Sequence, residues 1–279
     1  MQVSRLLVRA FAGWRTGLAG PVIVLQAGTA VNYFGYGLIV PFEIIYLHQA
    51  RRFPTATAGL VLAAALGTAA VATPPSGALV DRFRAKPILI AGSLASGLGY
   101  AGLAFVDRPW QAFACAAVGG AGLGVTNTAN RVLSLTLVTV EQHASVIALG
   151  RVAGNFGIGS GATVAGFIVA SVQHLRAFQA LYLFDAITCA ALALIVLVAI
   201  PNSRLAKAPS SGTGFRAVAR DRLFLLLIAA NIVLLAVGPA LFANILPPFA
   251  TAHTPVGPSE IGVLFFLNTF FIVVAQIPA

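Results

Sequence analysis

Charged residues are scarce in this sequence. They make up 9% of its 279 residues, whereas hydrophobic residues make up 59%. A soluble domain usually carries about 25% charged residues, which keep its surface hydrated. This chain has too little charge to cover a water-facing surface, and lipid as the outer solvent removes that difficulty. The composition therefore predicts an integral membrane protein.

Cysteine and histidine are equally sparse. Cys115 and Cys189 both lie in apolar runs, and the four histidines fall near segment ends without ligand spacing. We therefore predict no disulfide, no metal site and no cofactor. No nucleophile elbow or nucleotide-binding loop is present either, which argues against an enzyme.

Long apolar runs are what the sequence does contain. A membrane-spanning helix needs about 20 mostly apolar residues, and helix satisfies its own backbone in lipid. Eight runs meet this requirement, and they predict an all-α integral membrane fold. They lie at about 18–44, 55–80, 87–106, 109–138, 144–173, 177–200, 223–249 and 260–279.

The basic residues predict the topology of these helices. The chain carries a net charge of +10, and most of its 17 Lys and Arg fall in connectors on the side of the N-terminus. Cytoplasmic connectors are enriched in Lys and Arg, so we predict a multi-pass inner-membrane protein with a cytoplasmic N-terminus. Because these residues form no aromatic-rich face, no nucleic-acid partner is expected. The connectors on the opposite side hold Arg51, Arg52, Arg108 and Arg176.

One connector divides the chain. Residues 201–222 are basic and rich in Ser, Gly and Pro, which predicts a cytoplasmic linker between a bundle at 1–200 and a second unit at 223–279. The second unit restarts the first, because Gly59-Leu60-Val61 recurs 203 residues later as Gly262-Val263-Leu264. A second copy of the connector that begins at Gly77 would follow just after Ala279, which predicts that the chain stops after the eighth helix of a longer plan.

The connector between the second and third helices carries a motif. It reads GALVDRFRAK and resembles the signature loop of the major facilitator superfamily, G-x-x-x-D-[RK]-x-G-x-[RK]-[RK]. Arg84 stands where the motif has glycine, and Pro87 where it has a basic residue. The resemblance implies a six-helix N-terminal bundle plus the first two helices of the C-terminal bundle, and a gating loop that closes against the second half. The matching residues are Gly77, Asp81, Arg82 and Lys86. A solvated turn is the alternative reading of this loop.

Glycines in the fifth helix add to the resemblance. Gly150, Gly154, Gly157 and Gly161 are similar to the glycine-rich motif of the superfamily's antiporters, with Ala162 where that motif has proline. Their four-residue spacing also predicts close helix packing in lipid. The segment Leu183-Phe184-Asp185-Ala186 in the sixth helix resembles the superfamily's drug-exporter branch. Asp185 lies about 13 Å into its helix, so it is a candidate for proton coupling or for packing.

Polar residues inside the predicted helices are the candidate substrate ligands. The asparagines lie about 12–27 Å into helices that the resemblance places around a central cavity. Each could instead bond to a neighbouring helix, and Arg131 could be a topology signal. The candidate substrate-binding residues are Asn32, Tyr33, Tyr36, Asn127, Arg131, Asn155, Asn231 and Asn268.

These features together predict a secondary transporter of small organic solutes, with proton-coupled efflux by alternating access as the first hypothesis. An uncoupled facilitator or uptake carrier is the alternative, and a non-transporting membrane protein is the third. The expected partners are the bilayer, a small solute and protons, and the oligomeric state stays open. Residues 1–279 alone are expected to insert but not to concentrate a solute.

The topology can be tested by cysteine labelling. In a background without Cys115 and Cys189, we expect Ser210→Cys to react with a membrane-impermeant maleimide only from the cytoplasmic side. Thr254→Cys, in a connector on the opposite side, serves as the control and should react from outside. Labelling of position 210 from outside intact cells would reverse the predicted orientation.

Overall fold

A computed structural model describes residues 18–171, 175–201 and 220–276, and the regular elements in these ranges are all helices. Every predicted apolar run is helical, so the all-α fold is confirmed. The N-terminal segment, residue 210 and most of the predicted linker lie outside the described ranges. The helices are α1 (Gly20–Ile39), α2 (Thr55–Phe83), α3 (Ala85–Leu103), α4 (Pro109–Thr136), α5 (His143–Ser171), α6 (Leu175–Ala199), α7 (Arg222–Leu235) and α8 (Pro258–Gln276).

Five helical stretches are long and apolar enough to cross a bilayer: Gly20–Ala50, Thr55–Phe83, Pro109–Thr136, Val140–Ser171 and Leu175–Ala199. The first is longer than predicted, because α1 continues through a tight turn at Val40–Phe42 and a wide turn at Tyr46–Ala50. With 19 residues, α3 is about 28 Å long, close to the thickness of the hydrocarbon core.

The six N-terminal helices form one bundle. α1 packs between α5 and α6, α4 packs between α2 and α3, and α3 also lies along α6. α8 packs along α5. The continuation of α7, through Ala236–Ile245 to Leu246–His253, touches the tight turn that follows α1.

α1 and α5 approach so closely that only glycine fits at two positions of α5. A Cβ atom at Gly157 would lie 2.6 Å from the Ala30 carbonyl oxygen, and one at Gly161 would clash with the Phe34 carbonyl oxygen. Gly150 and Gly154 face side chains of α1 instead, namely Gln26 and the Tyr33 ring. In lipid such close backbone contact supplies much of the attraction between helices, so the α1–α5 pair depends on this glycine series.

One end of the bundle is closed by a large apolar cluster. Its core includes Phe42, Tyr46, Leu103 and Phe178, all of them buried. The connector arginine Arg51 fastens this end: it donates from Nε to the Tyr46 hydroxyl at 2.7 Å, from Nη1 to Asp107 at 2.9 Å, and from Nη2 to the Ala104 carbonyl. The opposite end, where α1 begins, holds a smaller buried cluster that includes Leu25, Leu89 and Leu133.

The backbone between α2 and α3 turns at Arg84, which adopts φ 73° and ψ 157°. This conformation is almost restricted to glycine, because a Cβ atom there meets the neighbouring backbone. The structure thus gives a physical reason for the glycine that the signature loop has at this position. Arginine holds the same turn at a conformational cost.

We expect Arg84→Gly to stabilise the protein by about 1 kcal/mol, because glycine adopts this conformation without strain. Arg82→Gly removes the same charge from the last turn of α2, where glycine should instead cost about 0.5–1 kcal/mol. Thermal unfolding in detergent compares the two variants directly. A fall in melting temperature for Arg84→Gly would show that the turn is not strained.

Candidate functional site

A cavity of about 450 Å³ opens between α1, α4 and α5. It lies in the half of the bundle where α1 begins and where α4 gives way to α5. Its lining comes from the first two thirds of α1, the last third of α4 and the first half of α5. The cavity is therefore large enough for a small organic molecule and ends well inside the helical bundle.

Four of the predicted substrate ligands lie on this cavity, namely Tyr33, Asn127, Arg131 and Asn155. The Tyr33 hydroxyl donates a hydrogen bond of 3.1 Å to Oδ1 of Asn127, which joins α1 to α4 across the cavity wall. Three separate helices thus supply the predicted polar groups at one place.

The sequence analysis missed several residues of the same wall. Asn130 donates to the Thr29 hydroxyl at 3.1 Å, and Gln26 donates to the Ser134 hydroxyl at 3.1 Å. The sequence could have indicated the two α1 residues. Gln26 and Thr29 lie seven and four residues before Tyr33, and this spacing puts all three on one face of the helix. Arg151 also lines the cavity.

The other predicted ligands do not reach this cavity. Asn231 and Asn268 are exposed, on α7 and α8. Asn32 and Tyr36 turn to the opposite side of α1, where they line a separate narrow pocket with Asp185. The structure therefore does not bring all five asparagines to this cavity, because the rotation of each helix about its axis, which the sequence does not give, decides which way each side chain faces.

Asp185 is fully buried in that narrow pocket. Its Oδ1 accepts one long hydrogen bond of 3.5 Å from the Thr188 hydroxyl, and its Oδ2 has no hydrogen-bond partner. Asn32 does not bond to Asp185 but donates to Sγ of Cys189 at 3.2 Å. The pocket measures about 10 Å³, which is too small for an organic solute.

The predicted gating residues divide into two groups. Asp81 and Arg82 belong to the last turn of α2 and are exposed, while Gly77 has open space on its Cα. Lys86 is different, because its ammonium donates to the Leu197 carbonyl at 3.0 Å and to the Ile200 carbonyl at 2.6 Å. Lys86 thus caps the C-terminal end of α6, where a cation is favourable.

The fold and the cavity define a helical membrane protein with a solute-sized cavity inside its bundle. The sequence profile of the Major Facilitator Superfamily matches residues 25–279. The chain belongs to this superfamily.

Among curated proteins, the chain is 33% identical to the "Multidrug resistance protein MdtH" of Proteus mirabilis (strain HI4320) over 100 residues, which is 32% of this chain and 24% of that protein. It is 22% identical to the "Uncharacterized MFS-type transporter YqjV" of Bacillus subtilis (strain 168) over 259 residues, which is 90% of this chain and 62% of that protein. The chain thus spans less than two thirds of either relative.

Two solved structures share the fold. A D-xylose-proton symporter superposes with a TM-score of 0.64 at 16% identity, over 91% of this chain and 66% of that one. An auto-inhibited peptide transporter of the POT family superposes with a TM-score of 0.60 at 15% identity, over 93% of this chain and 52% of that one.

A substitution of Lys86 tests whether this side chain stabilises the end of α6. We expect Lys86→Met to lower the free energy of unfolding by about 1–2 kcal/mol, because the last carbonyls of α6 lose a charged donor. Arg82→Met is the matched control and should change it by less than about 0.5 kcal/mol, since Arg82 is exposed. Equal stability of the two variants, measured by thermal unfolding, would remove the capping role.

Proposed function

We propose that the protein moves a small organic solute across the inner membrane by alternating access. The supporting observation is the cavity between α1, α4 and α5, which lies in the half of the bundle where α1 begins and away from the apolar cluster around Phe42 and Tyr46. With the N-terminus in the cytoplasm, the proposal assigns this cavity to the cytoplasmic half of the protein. Tyr33, Asn127, Arg131 and Asn155 are the proposed solute ligands.

Efflux driven by protons is the form of transport we propose. Asp185 is the candidate carrier, because it is a fully buried carboxyl group with an unpartnered oxygen and no cation within ion-pair distance among the described residues. An ionised acid is costly at this depth, so a site of this kind favours binding a proton. Glu43 is the other buried carboxyl group in the described ranges. It lies at the end of the bundle that the apolar cluster closes.

The second candidate is a facilitator without ion coupling. It is favoured by the absence of any Asp or Glu from the described cavity lining. A proton on Asp185 would have to act on the solute through α1 and not by direct contact. The two candidates differ in whether a pH gradient drives accumulation.

Transport can be followed in everted membrane vesicles that contain the complete protein, expressed from its gene. We expect a fluorescent organic dye to accumulate when respiration acidifies the vesicle interior, with carboxyfluorescein and ethidium as an anionic and a cationic probe. Gradient-driven accumulation of either dye supports the proposed function. The proposal would be contradicted if these vesicles accumulate neither dye above the level seen in vesicles from cells that do not express the protein.

Asp185→Asn should abolish the dependence of transport on the pH gradient while exchange of dye across the membrane continues, because an amide cannot take up and release the proton. Glu43→Gln is the matched control and should keep the dependence. Unchanged gradient dependence in Asp185→Asn would return Asp185 to a packing role. Transport by the unaltered protein that does not depend on the pH gradient would favour the facilitator.

A further inference from the structure

Among the described residues, the lining of the cavity is positively charged. Arg131 on α4 and Arg151 on α5 both line it, and no carboxylate is present among the lining residues. Within the described ranges the ion pair of the chain joins Arg51 to Asp107, so neither cavity arginine has an acidic partner. Both arginine side chains are exposed, and the positive potential that they give to the cavity lining favours an anion there.

Helix capping does not account for these two arginines. The last turn of α4 contains no basic residue, and Arg151 lies more than two turns inside α5. Lys86 and Arg51 show the contrast, because each donates to backbone carbonyls at a helix or loop end. Arg131 and Arg151 have no such bonds in the described part of the chain, so their guanidinium donors remain available to a ligand.

The remaining wall indicates the shape of that ligand. Oε1 of Gln26 and Oδ1 of Asn130 are buried acceptors without a hydrogen-bond partner. Leu135, Val146 and Ile147 supply apolar surface beside the arginines. A solute with an acidic group, an apolar body and a hydroxyl or amide donor would match these three features at once.

We propose that the cavity binds an organic anion, with Arg131 and Arg151 holding its carboxylate. Guanidinium groups bind carboxylates through paired charge-assisted hydrogen bonds, which lysine does not reproduce. This assignment rests on the proposal that the cavity is the solute site. It makes an organic cation, which would meet two positive charges and no acid, the disfavoured substrate.

The test uses binding and not transport, so that it stands apart from the vesicle experiment. The same protein that is used in the vesicle experiment is placed in nanodiscs of zwitterionic lipid and titrated by calorimetry with 1-naphthoate, 1-naphthamide and 1-naphthylmethylammonium, which share a ring and differ in charge. We expect naphthoate to bind at least about tenfold more tightly than the other two. Comparable binding of the amide or the ammonium compound would overturn the proposal.

Substitutions locate the anion. Arg131→Gln and Arg151→Gln should each weaken naphthoate binding by about tenfold or more, and the lysine variants should lose less because they keep the charge. Arg176→Gln, an exposed position outside the cavity lining, is the matched control and should bind like the unaltered protein. Retained affinity in both glutamine variants would overturn the proposal, as would displacement of naphthoate by anionic lipid at equal concentration, since the site would then belong to lipid.

The outcomes keep the two proposals apart. Arginine-dependent binding of naphthoate without transport of either dye would sustain the anion site and contradict the transporter. Transport of ethidium by a protein that does not bind naphthoate would do the reverse. The lysine variants control for misfolding. If they bind naphthoate with partial affinity, substitution at these two positions leaves the bundle folded, and the loss in the glutamine variants is due to the lost charge.

Discussion

The structure depends on one constraint: a polar group inside a bilayer has no water to bond with, so the protein must supply its partners. Most of the described polar groups obey it. Lys86 binds the terminal carbonyls of α6, and Arg51 binds a hydroxyl, a carboxylate and a carbonyl at the closed end. The exceptions are therefore informative. Unpartnered buried atoms of Gln26 and Asn130 lie around the cavity, and that of Asp185 lies in the pocket behind it. Two further unpartnered hydroxyl groups lie in that pocket and in the apolar cluster.

Much of the architecture could be predicted from sequence because apolar length and loop charge are local properties. The helix bounds agree with the predicted runs to within a few residues at most ends, and the glycine series of α5 does lie against α1. The signature loop was recognisable even without its glycine. The positive φ of Arg84 then explains why glycine suits that position, which the string of residues could not reveal.

The composition of the site was less predictable, because it depends on how each helix is rotated. Asn32 and Tyr33 are adjacent in sequence, yet they face different pockets. An asparagine inside an apolar run is equally compatible with a cavity wall, a lipid-facing surface or a bond to a neighbouring helix. Arg151 has the charge of a topology signal, and only the packing of α1, α4 and α5 brings it to the same cavity as Arg131. Tertiary packing, which periodicity alone does not determine, decides between these readings.

The same rotation bears on how a proton could act on a solute. α1 lies between the two pockets: Tyr33 faces the arginine-lined cavity, while Gly35 lies directly against Asp185. A Cβ atom at Gly35 would come within 2.7 Å of Oδ1 of Asp185 and would clash with the Thr188 hydroxyl, so the carboxyl group and the α1 backbone are in close contact. A change of charge at Asp185 would alter the solvation of a group that α1 covers. In the proposed mechanism α1 is therefore the element that both the proton and the solute contact, and proton coupling requires no carboxylate in the cavity itself.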